Sequence, residues 1–171
     1  MMMSPGVRRF ALGVHLSVSV GWIGAVLAYL ALGVAAVTAG SEQTIRGAWL
    51  AMEIIGWYVI VPSAVAALAT GVLMALGTPW GLIRHYWVLI SLVLTSGAVA
   101  VLLLHMPDVS AAAELARTAS EAELAGLGGD LVHATLGLLV LLTIQVINVA
   151  KPRGLTRYGA RRRTSGAASR A

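Results

Sequence analysis

Four long apolar runs, separated by short polar segments, dominate the pattern of hydrophobic and polar positions along the chain. They cover residues 10–38, 48–76, 85–106 and 131–150. A bilayer crossing needs about 20 mostly apolar residues, and only helices or closed barrels satisfy their backbone groups in lipid. Runs of this length are too long and too continuous for barrel strands. The pattern therefore predicts an all-α polytopic membrane protein, with a four-helix transmembrane domain over residues 1–150.

The segments between the runs predict the connections of this bundle. Residues 40–47 form a short loop, and residues 77–81, with the sequence GTPWG, form a tight turn. Residues 107–130 are acidic and rich in alanine, so we expect a longer outer loop that is partly helical. Ser120 and Glu123 have the spacing of a capping box, in which two side chains together close the first turn of a helix.

The composition excludes a water-soluble globular fold. It is 58% hydrophobic and 11% charged, whereas soluble domains carry about 25% charged residues. The absence of cysteine excludes disulfides, thiolate metal sites and the covalent attachment of c-type haem. In a membrane protein, a net charge of +5 reflects the orientation of the chain in the bilayer. We therefore do not expect a nucleic-acid partner.

The basic residues predict the orientation in the membrane, because cytoplasmic loops carry an excess of Lys and Arg. With four crossings, Arg46 and Arg117 lie on one side. All the others lie on the opposite side: Arg8, Arg9, Arg84, Lys151, Arg153, Arg157, Arg161, Arg162, Arg163 and Arg170. This bias predicts a multi-pass protein of the plasma membrane with both termini in the cytoplasm.

The C-terminal tail, residues 151–171, is basic, contains Gly and Ser, and lacks an apolar stripe. We predict a disordered cytoplasmic segment close to anionic lipid headgroups, which attract basic segments of this kind. The lipid bilayer and these headgroups are therefore the first partners that the sequence predicts.

The first two runs also predict how the helices pack. In lipid, association depends on small residues that let helices approach closely. Gly13, Ser17, Gly21 and Ala25 recur every four residues, so we expect this stripe to face the other helices. Pro62 lacks a backbone N–H and is expected to kink the second helix near its middle.

The four histidines are the best candidates for chemistry, since each lies within or at the edge of a run. Alternating helix directions place His15 and His85 at the cytoplasmic end, and His105 and His133 at the outer end. Two imidazoles that face each other across a bundle are the axial ligands of a b-type haem. Arg84, next to His85, would contact a haem propionate.

These pairs predict a small cytochrome-like protein that binds one or two b-type haems. It would pass electrons to or from a quinone or a partner protein, without bond-making chemistry of its own. The spacing of His85 and His105 argues against a double site. Their 20-residue separation corresponds to about 30 Å of ideal helix and leaves the side chains on nearly opposite faces.

Two other hypotheses stay open. A copper site is the alternative at the outer end, where soft and imidazole ligands would bind the ion. Its residues would be His105, Met106, His133 and Glu53, with Met52 nearby. Glu53 would otherwise orient a ligating imidazole or relay protons. The second is a cofactor-free accessory or structural subunit, in which each histidine bonds a neighbour or a headgroup. The runs contain no catalytic set of side chains, so we expect no independent enzymatic activity.

Four sequence motifs resemble a known family. They are HLSVSVGWIG at 15–24, GTPWGLIRHYW at 77–87, LLLH at 102–105 and KPRGLTRYG at 151–159. Together they are similar to a family of small four-helix integral membrane proteins of actinobacteria, a domain of unknown function. The resemblance covers most of the chain and implies the same four-helix architecture.

The first helix carries a second, narrower pattern in His15, Trp22 and Gly24. It resembles the first helix of the copper-resistance D proteins and of the haem-binding protoporphyrinogen oxidases. That resemblance implies that His15 is a haem or metal ligand. The oxidases also have a lysine within their bundle, whereas the only lysine here is Lys151, at the end of the fourth run. This departure argues against oxidase activity.

Overall fold

The computed structural model describes residues 3–38 and 40–161, which form helices joined by short loops, with no β-strand in these ranges. This confirms the predicted all-α fold. A π-helical segment, Gly56–Ile60, joins two of the helices into one. The helices are α1 (Pro5–Thr38), α2 (Glu42–Ile55), α3 (Val61–Leu76), α4 (Tyr86–Thr118), α5 (Glu121–Gly126) and α6 (Leu131–Ala150).

Four helices are long and apolar enough to cross a membrane: α1, the continuous helix Glu42–Leu76, α4 and α6. Less than a third of the most apolar stretch of each is buried inside the bundle, so most of their apolar side chains point outward. Phe10, Tyr58 and Leu104 are each at least 75% exposed. An outward surface this apolar suits lipid rather than water, which agrees with the predicted multi-pass architecture.

The four long helices form a ring in which each helix packs against two neighbours. α1 and α4 lie at opposite corners, and each contacts both the α2–α3 helix and α6. Short connections join consecutive helices, so neighbours in sequence run antiparallel. The end of the bundle that holds the turn 77–85 is called the Trp80 end below. The opposite end, which holds residues 119–130, is called the Asp130 end.

The buried face of α1 is not the predicted stripe of small residues. Of that stripe only Ala25 is buried, whereas Gly13, Ser17 and Gly21 are exposed. The bundle instead buries the face that carries the two aromatic residues of α1: Trp22, Ala25, Val26, Tyr29, Gly33 and Ala36. These large side chains fill the space between the helices, so close backbone approach along most of α1 is not needed.

Close approach occurs at one point of α1, where Gly33 meets Gly129. A Cβ atom on either glycine would overlap the backbone carbonyl oxygen of the other. Glycine at both positions therefore lets the loop before α6 rest directly on α1. This contact places Asp130, the next residue, against the side of α1.

Helix α4 continues well past the predicted end of its span. The sequence predicted a span over residues 85–106 and then a separate, partly helical outer loop, but α4 runs without a break through Pro107 to Thr118. Proline removes only one backbone hydrogen bond, and the alanine-rich turns after it are strong helix formers. Ala113 and Ala116 of this extension are fully buried, so packing stabilises the added turns.

Arg46 of α2 closes the C-terminal end of α4. Its guanidinium donates to the backbone oxygens of Ala116 and, at 3.1 Å, of Ala119. The last carbonyls of a helix have no partner within the helix, and Arg46 supplies one. Glu42, one turn earlier on α2, contacts the same guanidinium. This arginine therefore has a structural role at the Asp130 end.

Helix α5 begins with the predicted capping box. The Glu123 carboxylate accepts hydrogen bonds from the Ser120 hydroxyl at 2.7 Å and from the Ser120 backbone N–H at 2.8 Å. Both bonds lower the pKa of Glu123, and the bond from the Ser120 hydroxyl has the larger effect. Leu124 follows and is buried in the core, so α5 covers the Asp130 end of the bundle.

The backbone disruption expected at Pro62 takes the form of a π-helical segment. Gly56–Ile60 lies just before the proline, and Pro62 occupies the first turn of α3. A proline there cannot donate to the preceding turn, and the π-helical segment lies in the turn that loses this bond. The chain crosses the middle of the bundle without ending the helix.

Residues 154–159 are not disordered, in contrast to the prediction for the tail. The Thr156 N–H donates to the Arg84 oxygen at 3.0 Å, and the Thr156 hydroxyl donates to the Ile83 oxygen at 2.6 Å. Leu155 and His85 form an isolated antiparallel bridge. The turn before α4 has backbone carbonyl groups outside any helix, and Thr156 of the tail donates hydrogen bonds to them. The predicted basic tail also includes Arg162, Arg163 and Arg170, which lie outside the described residues.

Candidate functional site

Asp130 lies at the start of α6 with an unusual backbone conformation. Its φ of 47° is in the left-handed region, which aspartate tolerates better than most residues. Gly128, two residues earlier, also has a positive φ, so the chain turns sharply before α6. This turn directs the Asp130 carboxylate into the bundle, where the side chain is only 8% exposed.

Three side chains donate hydrogen bonds to this carboxylate. Tyr29 Oη–H of α1 donates to Oδ2 at 2.7 Å, and His105 Nε2 of α4 lies 2.9 Å from the same oxygen. His133 Nδ1 of α6 lies 3.1 Å from Oδ1. Because an ionised carboxylate only accepts, both ring nitrogens act as donors in these bonds. Tyr29, His105, Asp130 and His133 are called the Asp130 cluster below.

The two histidines of the Asp130 cluster stack on each other. Their ring centroids are 3.8 Å apart and the planes meet at 21°. The structure thus brings His105 and His133 together, as their shared depth in the bundle predicted. On its other side, His105 Nδ1 lies 3.8 Å from an oxygen of Asp108, so carboxylates flank both nitrogens of this ring.

This stacking does not fit the predicted ligation of a haem by both rings. Axial ligands bind haem iron from opposite faces of the macrocycle, so the macrocycle must separate them. Rings in face-to-face contact leave no space for it. Both nitrogens that point inward, His105 Nε2 and His133 Nδ1, are directed at Asp130 instead.

The same arrangement fits a divalent metal ion. One ligand atom each from His105, Asp130 and His133 lie within 4.8 Å of one another. Zinc–nitrogen and zinc–oxygen bonds are about 2 Å long, so an ion that replaced the two bridging protons would draw the three ligand atoms closer together and turn the two rings out of their stack. Tyr29 would then hold Asp130 through its hydrogen bond, as outer partners of metal ligands commonly do.

Electrostatics at the Asp130 cluster favour a cation. In the described part of the chain, Asp130 is the only carboxylate within hydrogen-bond distance of both histidine rings. Its charge is partly balanced by the positive end of the α6 dipole and by the three side chains that donate hydrogen bonds to it. Removing a carboxylate from water is costly unless it is paired. A bound cation would complete that pairing.

Glu53 is not part of this site, although the sequence placed it beside His105 and His133. Its carboxylate lies 3.2 Å from the guanidinium of Arg117, which also pairs with Glu114 at 3.0 Å. Helix α4 extends past the predicted span, so its Arg117 reaches Glu53. Asp130 takes the place that Glu53 had in the predicted metal site.

An apolar cavity of about 540 Å³ ends at the Asp130 cluster. Its walls are apolar side chains from α1, α4 and α6, among them Trp22, Val26, Leu94, Leu102 and Leu141. Its polar side chains are those of the cluster. Cavities of this size, with a few convergent polar groups, are typical of sites for small molecules.

The other two histidines have separate partners, and no hydrogen bond or ring contact joins them in the described residues. His15 Nδ1 lies 2.9 Å from the Thr70 hydroxyl. That hydroxyl donates its own proton to the Ala66 carbonyl at 2.7 Å, so His15 is the donor and ties α1 to α3. His85 Nδ1 donates to the Trp80 carbonyl at 2.8 Å.

Arg84 also has partners in the protein. Its guanidinium donates to the Pro79 carbonyl at 3.3 Å, and its own carbonyl accepts from Thr156. His15, His85 and Arg84 thus each have a partner within the protein, and the haem site predicted from them stays a prediction.

Sequence reasoning missed Tyr29 and Asp130. Asp130 carried a signal, because it stands directly before an apolar run and three residues before His133, which is the spacing of neighbours on one helix face. Tyr29 carried none, since a tyrosine inside an apolar run is usually a packing residue.

The fold and this site define a helical bundle with four helices able to cross a membrane and a polar cluster at one end. No protein-family model, no curated protein and no solved structure matches the chain. The predicted resemblance to an actinobacterial family stays a prediction.

Proposed function

We propose that this is a multi-pass protein of the plasma membrane, with both termini in the cytoplasm, that binds a divalent transition-metal ion at its outer side. His105, Asp130 and His133 would hold the ion, and Tyr29 would position Asp130. The observation that supports this proposal is the convergence of two imidazoles and a buried carboxylate within 4.8 Å. These residues come from two different helices, so the tertiary fold itself assembles the ligand set.

The ligand types indicate which ions fit. Two imidazoles and one carboxylate suit zinc or copper(II), whereas magnesium and calcium prefer ligand sets made of oxygen. Three protein ligands also leave a position for water or another ligand, next to the apolar cavity. The bound ion would act as a Lewis acid there.

Charge distribution supports the proposed orientation. All seven Asp and Glu residues fall between positions 42 and 130. The two basic residues at the Asp130 end are both paired with acids, Arg46 with Glu42 and Arg117 with Glu53. The other basic residues of the described part of the chain lie toward the Trp80 end, which the positive-inside rule assigns to the cytoplasm: Arg8, Arg9, Arg84, Lys151, Arg153, Arg157 and Arg161.

Cysteine labelling tests the orientation, because the chain has no cysteine of its own. Ser41→Cys lies in the short loop before α2, and Ser4→Cys lies before α1. On intact cells, a membrane-impermeant maleimide should label the first variant and not the second. Labelling of Ser4→Cys alone would reverse the proposed topology.

Metal binding is tested on the full-length protein in mild detergent. Zinc and copper per chain are measured after purification, and cobalt(II) is added as a spectroscopic substitute for zinc. We expect one ion per chain and a cobalt d–d spectrum typical of a site with nitrogen and oxygen ligands. His105→Ala, Asp130→Asn and His133→Ala should each lose the ion.

Glu53→Gln is the matched control, because it removes a carboxylate from the same end of the bundle but outside the Asp130 cluster. It should keep the ion. A wild-type protein without metal under saturating zinc and copper would refute the proposal, as would equal binding by Asp130→Asn.

The apolar cavity supports a second candidate function, the binding of a quinone. A quinone has an apolar ring, and its carbonyl oxygens accept hydrogen bonds, which His105 or His133 would donate in exchange for its bond to Asp130. Trp22 lines the cavity, so a bound quinone should quench part of the tryptophan fluorescence. The probe is a quinone with a short isoprenoid tail.

Filling the cavity separates this candidate from metal binding. Gly97 and Gly137 line the cavity, and a Cβ on either would meet no atom within 4 Å. Gly97→Leu and Gly137→Leu should therefore abolish quenching and leave metal binding intact. Gly13→Leu, at an exposed position of α1 with equal room, is the control. Unchanged quenching in both cavity variants would exclude this site.

A protein that binds neither metal nor quinone would fit the predicted cofactor-free accessory subunit. In that case the Asp130 cluster would serve to hold α1, α4 and α6 together. The variants of the cluster would then change stability alone.

A further inference from the structure

A second pocket, of about 570 Å³, lies at the Trp80 end, remote from the Asp130 cluster. It is formed where the tail after α6 crosses the turn before α4. Arg84, His85, Lys151 and Arg153 line it together with Trp80. Four groups able to carry positive charge thus border one opening.

The docked tail builds this pocket. Lys151 ends α6 with a φ of 44°, and the residues after it turn back toward the start of α4. The Tyr86 N–H then donates to the Gly154 oxygen at 3.4 Å. Gly159 closes the contact, because a Cβ there would overlap the Arg84 carbonyl oxygen. These backbone contacts hold Lys151 and Arg153 near Arg84.

In the described part of the chain, no carboxylate pairs with these basic side chains. Within residues 3–38 and 40–161, no Asp or Glu forms an ion pair with Arg84, Lys151 or Arg153. The stretches 77–104 and 131–161, which form the pocket, contain no acidic residue. Lys151 Nζ instead lies 5.9 Å from the centre of the Trp80 ring. The pocket therefore attracts an anion.

The local backbone adds to this attraction. The pocket lies at the N-terminal end of α4, which carries partial positive charge. The Arg84 guanidinium is already oriented by its bond to Pro79, so less freedom is lost when it binds an anion. Three cationic side chains around one opening suit the several oxygens of a phosphate group better than the two of a carboxylate.

We propose that this pocket binds a phosphate group. Trp80 and Trp87 line it at the end of the apolar helices, the depth at which interfacial aromatic residues meet lipid headgroups. The phosphate of an anionic lipid and free phosphate share this chemistry, and the experiment separates them. The proposal is independent of the metal site, since the two sites share no residue.

The test uses the full-length protein in detergent. Native mass spectrometry counts retained phosphatidylglycerol, and calorimetry measures binding of inorganic phosphate. We expect wild-type protein to bind at least one of the two probes. Binding of the lipid alone would identify a headgroup as the source, and binding of both would identify the phosphate group itself as sufficient.

The variant Arg84→Gln/Arg153→Gln should weaken binding at least tenfold, because it removes two of the three cationic side chains that would bind the phosphate oxygens. Arg157→Gln removes one basic charge from the same tail at a position outside the pocket lining and should change affinity little. Arg153→Gln alone, at an exposed position, keeps the test valid if the double variant does not fold. Equal losses in Arg157→Gln and Arg153→Gln, or no binding of either probe, would overturn the proposal.

Discussion

Asp130 accepts hydrogen bonds from three side chains that belong to three different helices. A buried carboxylate needs such partners, because its charge is otherwise costly away from water. The left-handed turn at Asp130 and the contact of Gly33 with Gly129 bring the carboxylate to Tyr29. At the scale of single residues, the candidate site therefore depends on backbone geometry as much as on its titratable groups.

Tyr29→Phe tests this dependence. The change removes one bond of 2.7 Å to a carboxylate and should cost about 1.5–3 kcal/mol of stability. It should also weaken metal affinity by about 10–100-fold, as loss of an outer partner commonly does. Thermal unfolding in detergent and zinc titration measure the two effects.

Tyr58→Phe is the control for this substitution. Tyr58 is 78% exposed, and its hydroxyl forms no hydrogen bond within the described residues. Its change should alter neither stability nor metal affinity. If both phenylalanine variants behaved alike, the bond from Tyr29 would contribute nothing to the site.

At the scale of the elements, α1 shows which feature of a helix selects its buried face. The small-residue stripe suggested one face, but the bundle buries the face of Trp22 and Tyr29. Those side chains border the apolar cavity and the Asp130 cluster. On α1, a glycine is needed for close approach only at Gly33, where the loop before α6 touches the helix.

Gly33→Ala should therefore destabilise the bundle, whereas Gly24→Ala should not. Gly33 has no room for a Cβ, and forcing one into a packed contact costs about 1–3 kcal/mol. A Cβ at Gly24 would meet no atom within 4 Å, and alanine favours helix over glycine by about 1 kcal/mol. Chemical denaturation in detergent compares the variants. Equal stability of the two would contradict the observed contact.

The short helix α5 makes a prediction about acidity. Hydrogen bonds from Ser120 lower the pKa of Glu123 in the folded state, so folding favours the charged carboxylate. This stabilisation is fully present above the usual pKa of glutamate and is lost as the pH falls through the lowered value. Amide protection of residues 121–126, corrected for intrinsic exchange, should decrease in that range. Glu123→Gln should remove this pH dependence.

At the scale of the whole molecule, the two ends of the bundle carry opposite chemistry. Acidic residues fall only between positions 42 and 130, and the Asp130 end holds the candidate cation site. The Trp80 end collects Arg84, Lys151 and Arg153 around a candidate phosphate site. This separation agrees with a protein held in one orientation across a membrane.

Gly159→Ala tests whether the two ends act independently. The added Cβ would overlap the backbone at Arg84 and displace the tail, so phosphate or phosphatidylglycerol binding should weaken. Metal binding at the Asp130 cluster should be unchanged. Gly154→Ala is the milder control, because a Cβ there would lie 3.4 Å from the Tyr86 ring. Loss of both activities in Gly159→Ala would show that the variant disrupts the bundle as a whole.

The sequence by itself determined the number of long helices and the separation of the histidines into two groups by position along the helices. Both follow from local information: the length of apolar runs, and the reversal of direction at each loop. The capping box at Ser120 and Glu123 also followed from spacing alone, because its partners lie within one turn.

The tertiary structure decided which side chains meet. The rotation of each helix about its axis depends on packing with its neighbours, so it placed Asp130 rather than Glu53 beside His105 and His133. The docking of residues 154–159 depends on backbone groups left open at a distant turn. Contacts between residues far apart in the chain depend on the whole bundle, and the periodicity of one run does not specify them.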